Sequence, residues 1–385
     1  MFDEVIRFVR SKFGADGFIP LHEPKFSGRE QEYLKDCIDS TFVSSVGKYV
    51  DRFEQDLAAY TGAKYAIATV NGTAALHAAL VLAGVASGDE VITQPLTFVA
   101  TVNAIKYCGA EPCFVDVDRD TMGLSPDALR SFLEESAVLE DGLCRNRVTG
   151  RVIRAVVPMH TFGHPARMDE IVAICEEYQL VVVEDAAESL GSRYKDQHTG
   201  TFGHMGVFSF NGNKTITCGG GGAIVTNDEA LAHRAKHITT TAKVPHKWEY
   251  DHDCVGFNYR MPNLNAALAC AQLEQIEAVL ENKRALAKEY AAFFESIGIT
   301  FIAEPAHAHS NYWLNALVLE DRAQRDRFLE ETNSQGVMTR PVWKLMHHLE
   351  MYANTQRGDL SVAEWLEFRI VNIPSSVYLG GNEDG

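Results

Sequence analysis

Short β-rich runs separated by helical patterns fill the first two thirds of the chain, and this alternation narrows the possible folds more than any other feature. The strand candidates are residues 65–70 (YAIATV), 90–95 (EVITQP), 111–117, 152–158, 180–185 (LVVVED), 207–210 and 223–226. Between them lie AALHAALVLAG, ALRSFLEES and MDEIVAICEEY, whose apolar positions recur at helical spacing. Strand and helix in turn predict βαβ units. Runs such as Val181 to Val183 are apolar without alternation, so both faces of these strands are expected to be covered. The chain is therefore expected to be α/β, with a mainly parallel central sheet flanked by helices. In such sheets ligands bind beyond the carboxyl ends of the strands.

After about Asn258 the texture changes. NLNAALACAQLEQIEAVLENKRALAKEYAAFFESIG reads as one long helical stretch stopped by Gly298. It is expected to be a hinge helix leading into a smaller C-terminal α/β domain, with strands at 312–319 and 337–343 and a helix near 321–335. The division expected is a large domain at 1–257, including the N-terminal segment, and the hinge helix with a small domain at 258–385. A chain of 385 residues accommodates two or three domains at about 100 to 200 residues each. Segment 137–151 (AVLEDGLCRNRVTGR) is polar and aperiodic, and reads as a surface excursion.

Charge and cysteine usage then restrict the partners. Lys and Arg number 35 against 52 Asp and Glu, a formal net charge of −17. Such a field repels phosphate backbones and argues against nucleic acid or an anionic membrane surface. The eight cysteines are scattered without a CxxC pair, as expected of reduced thiols in a cytoplasm. The N-terminus lacks the apolar core of a signal peptide. The longest nearly apolar run, Ala74 to Ala86, is well short of the roughly 20 residues a membrane helix needs. The expectation is a cytoplasmic protein without a membrane span.

The chemistry is concentrated at strand-to-helix junctions. In FSFNGNKTITCGGGGAIVT (208–226) Lys214 follows Ser209 by five residues and precedes four glycines, Gly219 to Gly222. A lysine between two buried strands is costly unless neutral or covalently engaged, and Schiff-base formation with an aldehyde cofactor is one reason for such placement. The alternative is an exposed loop lysine. GNKT imitates the end of a P-loop, but Asn213 stands where that motif requires glycine. In LVVVEDAAESLGS an apolar strand ends in Glu184, Asp185 and Glu188. A carboxylate there could keep a pyridinium nitrogen protonated, and Asp185 is the candidate; otherwise it caps the next helix. Asn71, Gly72 and Thr73 open an apolar helix whose N–H groups could cradle a phosphate, unless Thr73 is a plain N-cap. Phe98 follows another strand end, where it could stack on a flat ring or simply join the core. No GxGxxG dinucleotide fingerprint accompanies these features.

At NGTAAL, TFVAT, EDAAESLG, FSFNGNKTIT-GGGG and GFNYRMPNLNAALA the chain resembles the pyridoxal-phosphate-dependent nucleotide-sugar aminotransferases, a fold-type-I family, from about Ile19 onward. The resemblance implies Lys214 as the catalytic Schiff-base lysine, Asp185 on the pyridine nitrogen, Phe98 on the ring, and Gly72, Thr73 and Ser209 on the phosphate. It also implies that Asn258 reaches the phosphate of a neighbouring subunit, hence a homodimer with shared sites. Glu188, counted with the cofactor-binding residues, stands where many members carry histidine or glutamine. TFVSSVGKYVDRFE, PMHTFGHP, TTTAKVPHKWEYDHD, SNYWLNALVLEDR and RPVWKLMHHLEMY are similar to one subgroup. These are the C4 aminotransferases acting on UDP-linked 4-keto-6-deoxy-N-acetylhexosamines in bacillosamine and legionaminic acid synthesis. The implied reaction moves an amino group from L-glutamate to C4 of the sugar and leaves 2-oxoglutarate. Alternatives are a GDP- or dTDP-linked keto sugar, a sugar dehydratase, or a non-catalytic ligand-binding member. Relatives of the dehydratase kind replace the lysine with histidine, and a degenerate member is expected to lose Lys214 or Asp185; both are present.

Arg260 is a candidate for the donor carboxylate or the diphosphate, with a surface ion pair as the alternative. Tyr312, Trp313 and Trp343 are candidates for the sugar or base, with core packing as the alternative. His160 and His164 have i, i+4 spacing, but Gly163 and Pro165 interrupt any helix, so no metal is expected. Adjacent His347 and His348 are expected to point in different directions, at a loop or the substrate edge.

Overall fold

The computed structural model describes residues 2–14 and 16–378. The seven predicted strands of the first two thirds form one sheet. Its order is Tyr65–Thr69, Gly222–Thr226, Met205–Ser209, Val181–Asp185, Ile153–Val157, Glu90–Thr93, Glu111–Phe114. The last five pair in parallel. Gly222–Thr226 runs antiparallel to both its neighbours, so six strands share one direction and one opposes them. This is the mainly parallel, helix-flanked arrangement expected of fold type I. Val182, Val183, Val156 and Ile224 are buried, because helices cover both faces.

A four-stranded antiparallel sheet forms the second layer, ordered Thr300–Phe301, Asn315–Val318, Ile370–Ile373, Arg340–Pro341. The helix expected near 321–335 spans Arg322–Ser334, with Asp321 accepting from Gln324 N–H as its N-cap. Strand 312–319 begins only at Asn315, since Tyr312 lies at φ 48°, in the left-handed region. Strand 337–343 shrinks to Arg340–Pro341, because a proline cannot donate to the ladder and Val337 bridges to Ile19.

The long helical stretch is two helices, Asn263–Leu273 and Ile276–Ser296. At the break, Glu274 accepts from Tyr33 Oη (2.6 Å) and Gln275 donates to Glu30 (2.9 Å), which fastens the turn to helix Glu30–Ser40. Asn263–Leu273 packs in the same core as Phe53, Phe208 and Phe210 of the main sheet side. Helix Phe2–Phe13, in contrast, buries Val5, Ile6 and Val9 against Leu286, Tyr290, Phe294 and Phe328. Apolar packing therefore changes hands within Ile276–Ser296, and the N-terminal helix shares a core with the C-terminal sheet. Segment 137–151 contains a hairpin, Ala137–Glu140 with Leu143–Asn146, turned at Asp141 (φ 52°) and Gly142 (φ 75°). Among the described residues no helix is long and apolar enough to cross a membrane.

Candidate active site

A cavity of about 330 Å³ opens at the carboxyl ends of the parallel strands, lined among others by Asp185, Glu188, Ser209, Lys214, Trp313 and Trp343. Gly72, Thr73 and Phe98 line it too. Nine predicted residues thus converge from positions 72 to 343.

Each wall has a local cause. Strand Tyr65–Thr69 runs directly into helix Gly72–Leu82, whose N-cap is Asn71: its Oδ1 accepts from Ala74 N–H at 2.8 Å. Thr73 is consequently not the cap, and its side chain is left to face the cavity. A Cβ placed on Gly72 would stand 2.8 Å from Ser209 Cβ, so only glycine lets the helix start approach that strand end. The result is a cradle of uncapped N–H groups and a hydroxyl, of the kind that holds a phosphate. The four glycines at 219–222 do not line the cavity; Asn265 ties their turn down by donating to Cys218 O (2.7 Å) and Gly220 O (2.9 Å).

Asp185 ends its strand and is buried. It caps no helix. Its Oδ2 accepts from Thr101 Oγ1 at 2.7 Å and its Oδ1 from Ala187 N–H at 3.2 Å. Beside it, Glu184 turns the other way and accepts from Gly200 N–H and Gly203 N–H, each at 2.7 Å, with His160 Nε2 at 3.0 Å. Two consecutive carboxylates thus divide the work: one holds the fold together and one faces the cavity.

Lys214 is mostly buried, with Nζ 3.3 Å from Glu188 Oε1 and 4.1 Å from the centroid of the Trp313 ring. It is not an exposed loop lysine. Trp313 is fixed in turn by donating Nε1–H to Asn213 O at 2.6 Å. Burial pushes the Glu188 carboxyl up to about 7, partly opposed by the Lys214 ammonium. Phe98 is 50% exposed, with its ring centroid 6.3 Å from that of Trp343.

Three predicted residues fall outside the cavity. Tyr312 is buried, its hydroxyl accepting from Glu304 N–H (2.9 Å) and its ring edge-on to His164 at 5.4 Å. Tyr312, which precedes the strand Asn315–Val318, is therefore core and not a cavity wall. Arg260 donates Nε–H to Asn258 Oδ1 at 3.2 Å, and both lie on a segment bridged to Thr69 and Thr240. Asn258 is exposed. His160 and His164 face different partners, as the Gly163 turn requires. His347 and His348, by contrast, converge: their rings are 4.1 Å apart, over the helix Ser361–Glu367. The 3₁₀ turn Met346–His348 brings together side chains that a regular element would separate.

Sequence reasoning missed Thr101, Asn211, Asn213 and Asn311. Thr101 is one helical turn past Phe98 and closes the TFVAT segment, but only the fold brings its hydroxyl to Asp185. Asn311 donates Nδ2–H to Glu188 O and Leu190 O (both 2.9 Å) and accepts Trp313 N–H (2.8 Å), a purely tertiary role.

A cradle for phosphate, a buried carboxylate held by Thr101 and an amine in one cavity suit a phosphorylated pyridine aldehyde. The family profile described as the DegT/DnrJ/EryC1/StrS aminotransferase family matches residues 24–384. The chain is 38% identical over 358 residues to the GDP-perosamine synthase of Escherichia coli O157:H7, covering 93% of each chain. It is 34% identical over 360 residues to the GDP-perosamine synthase of Vibrio cholerae, covering 93% of this chain and 94% of that one. Among solved structures, a DegT DnrJ EryC1 StrS aminotransferase from Brucella abortus superposes with a TM-score of 0.82 at 28% identity, covering 91% of each chain. These relatives make GDP-perosamine, and the narrower resemblance to UDP-sugar enzymes of bacillosamine and legionaminic acid synthesis is not what they support. The chain belongs to the DegT/DnrJ/EryC1/StrS family and is a pyridoxal-phosphate-dependent sugar aminotransferase.

Proposed function

We propose that the chain transfers an amino group from L-glutamate to C4 of a nucleotide-linked 4-keto-6-deoxy sugar, with GDP as the nucleotide. The GDP carrier is supported by the similarity to GDP-perosamine synthases over 93% of this chain, which favours it over the UDP substrate suggested by the resemblance. The single observation behind the transfer chemistry is the placement of the Lys214 amine in one cavity with Asp185 and the Gly72–Ser209 cradle.

When bound, pyridoxal phosphate supplies an aldehyde to carry the amino group and a pyridinium ring to accept electrons. Gly72, Thr73 and Ser209 would hold its phosphate at the start of helix Gly72–Leu82, where the helix dipole favours an anion without any basic residue. Asp185, oriented by Thr101, would keep the ring nitrogen protonated. Phe98 and Trp343 would border the ring. Lys214 would anchor the aldehyde and, once released, carry protons as general acid and base at Nζ, a role typically contributing about 10² to 10⁴ in rate. Trp313 shields this nitrogen from water. Arg260 and Asn258 do not reach their own chain's cavity, and we assign Asn258 to the phosphate of a second copy in a homodimer with shared sites.

The test is to incubate purified protein with glutamate and GDP-, UDP- and dTDP-linked keto sugars, identifying products by mass and NMR. The GDP sugar should give the 4-amino product fastest, and Lys214→Ala should lose at least about 10²-fold in turnover. A faster UDP or dTDP substrate would overturn the nucleotide assignment, and wild-type turnover in Lys214→Ala would overturn the role of the lysine.

A further inference from the structure

Glu188 occupies a position where a neutral or basic side chain is the common alternative in the resemblance, and its surroundings ask what an acid does there. The side chain is 1% exposed and its Oε1 lies 3.3 Å from Lys214 Nζ. Oε2 accepts from Phe162 N–H at 2.9 Å, which fixes the carboxyl plane with Oε1 aimed at the lysine. The charged groups facing it are Lys214 and, at the end of the strand that Glu188 itself follows, Asp185. On the loop 311–313, Asn311 contacts only its backbone carbonyl. His164, near the Phe162 turn, is kept uncharged by burial, which pushes it down to about 4.

This geometry carries a charge argument. While Lys214 is an ammonium, an ionised Glu188 is paired. Once the lysine nitrogen loses its proton, an ionised Glu188 would stand buried, unpaired and close to Asp185, the costliest arrangement available. We propose that Glu188 is the proton partner of Lys214, accepting the proton on Oε1 when the nitrogen gives it up and returning it when the nitrogen is protonated. The transfer breaks an N–H bond and forms an O–H bond; the nitrogen keeps its electron pair, and the net charge of the two groups is unchanged. The raised carboxyl affinity, about 7, places the exchange within reach of neutral pH. The ionised carboxylate also favours the protonated state of the nitrogen at 214 when that nitrogen is linked to the cofactor.

This inference rests on Lys214 being the anchoring lysine, so the experiment separates the two. Holoenzyme is first reduced with borohydride and digested; a cofactor adduct on the Lys214 peptide upholds the anchoring role, and its absence with no visible band overturns that role instead. With the adduct in hand, the visible absorbance of wild type, Glu188→Gln and Glu188→Asp is titrated with pH. In Glu188→Gln, which retains an acceptor for Phe162 N–H, the midpoint of the band's transition should fall by at least about one pH unit, a tenfold loss of proton affinity. Glu188→Asp should restore part of the shift. A midpoint in Glu188→Gln indistinguishable from wild type overturns the proposal. Should Glu188→Gln fail to fold, infrared difference spectra of wild-type holoenzyme with ¹³C-labelled glutamate decide: a protonated carboxyl stretch must titrate with the visible band, and none doing so overturns it.

Discussion

Lys283 shows how a single residue can be both legible and illegible in sequence. On paper it is one more basic position in an amphipathic helix; in the structure its ammonium is fully buried, donating to Ser375 O (2.5 Å) and Trp313 O (3.2 Å). It thereby joins helix Ile276–Ser296, the end of the four-stranded sheet and the loop that carries the cavity's tryptophan. Burial pushes it down to about 7 from the usual 10.5. The folded protein therefore binds fewer protons at this site than the unfolded chain between about pH 7 and pH 10.5, so its contribution to stability rises with pH across that window. Urea unfolding of wild type and Lys283→Met at pH 7 and pH 10 should show wild type gaining stability relative to the variant, on the order of a few kcal/mol, as the pH rises. Equal pH dependence in the two proteins would refute the assignment. The positions of Lys214 and Asp185 are readable for the opposite reason: each lies at or just beyond a strand end, and a run such as LVVVED marks its own end.

At the scale of elements, turn chemistry and close approach explain both successes and misses. Asp141-Gly142 is a strong hairpin signal, yet the polar flanks of 137–151 hid the strands. The helix break at Glu274–Gln275 had no glycine or proline to announce it, since contacts with Tyr33 and Glu30 make the turn. Strand Ile370–Ile373 was missed although it is central in the small sheet, being four buried residues without alternation. Strand Met205–Ser209, which delivers Ser209 to the cavity, depends on Gly206: a Cβ there would sit 2.1 Å from Gly200 O and 2.4 Å from its Cα. Gly206→Ala should cost about 3 kcal/mol. Gly212→Ala, where a Cβ meets nothing within 4 Å, should change stability by less than about 0.5 kcal/mol. Denaturant titration of both variants checks this, and a stable Gly206→Ala would contradict the close approach.

For the whole molecule, one group of exposed apolar side chains lies in the segment that leads to Asn258. Trp248 and Val255 are 73% and 86% exposed, near the exposed Asn258. Large apolar side chains left this open suit an interface. If Asn258 completes a partner's site, Lys214→Ala and Asn258→Ala chains, each nearly inactive, should recover activity when mixed into heterodimers. Each such dimer retains one site with both residues intact, so about a quarter of wild-type activity is expected when subunits exchange at random and every site acts independently. Demonstrated heterodimers without recovery would show that the site is built within one chain.

The order of strands and helices, the mainly parallel sheet and the placement of Lys214, Asp185, Ser209 and Gly72 near strand ends follow from local patterns, because apolar periodicity and strand ends are short-range properties. Pairing across long separations was decided only in the folded chain. Burial there set the proton affinities of Glu188 and Lys283, turned Tyr312 into core and Trp313 into a cavity wall, and moved the N-terminal helix onto the C-terminal sheet. Those outcomes depend on desolvation and on clusters that join residues as far apart as 9 and 371, which no window of sequence contains.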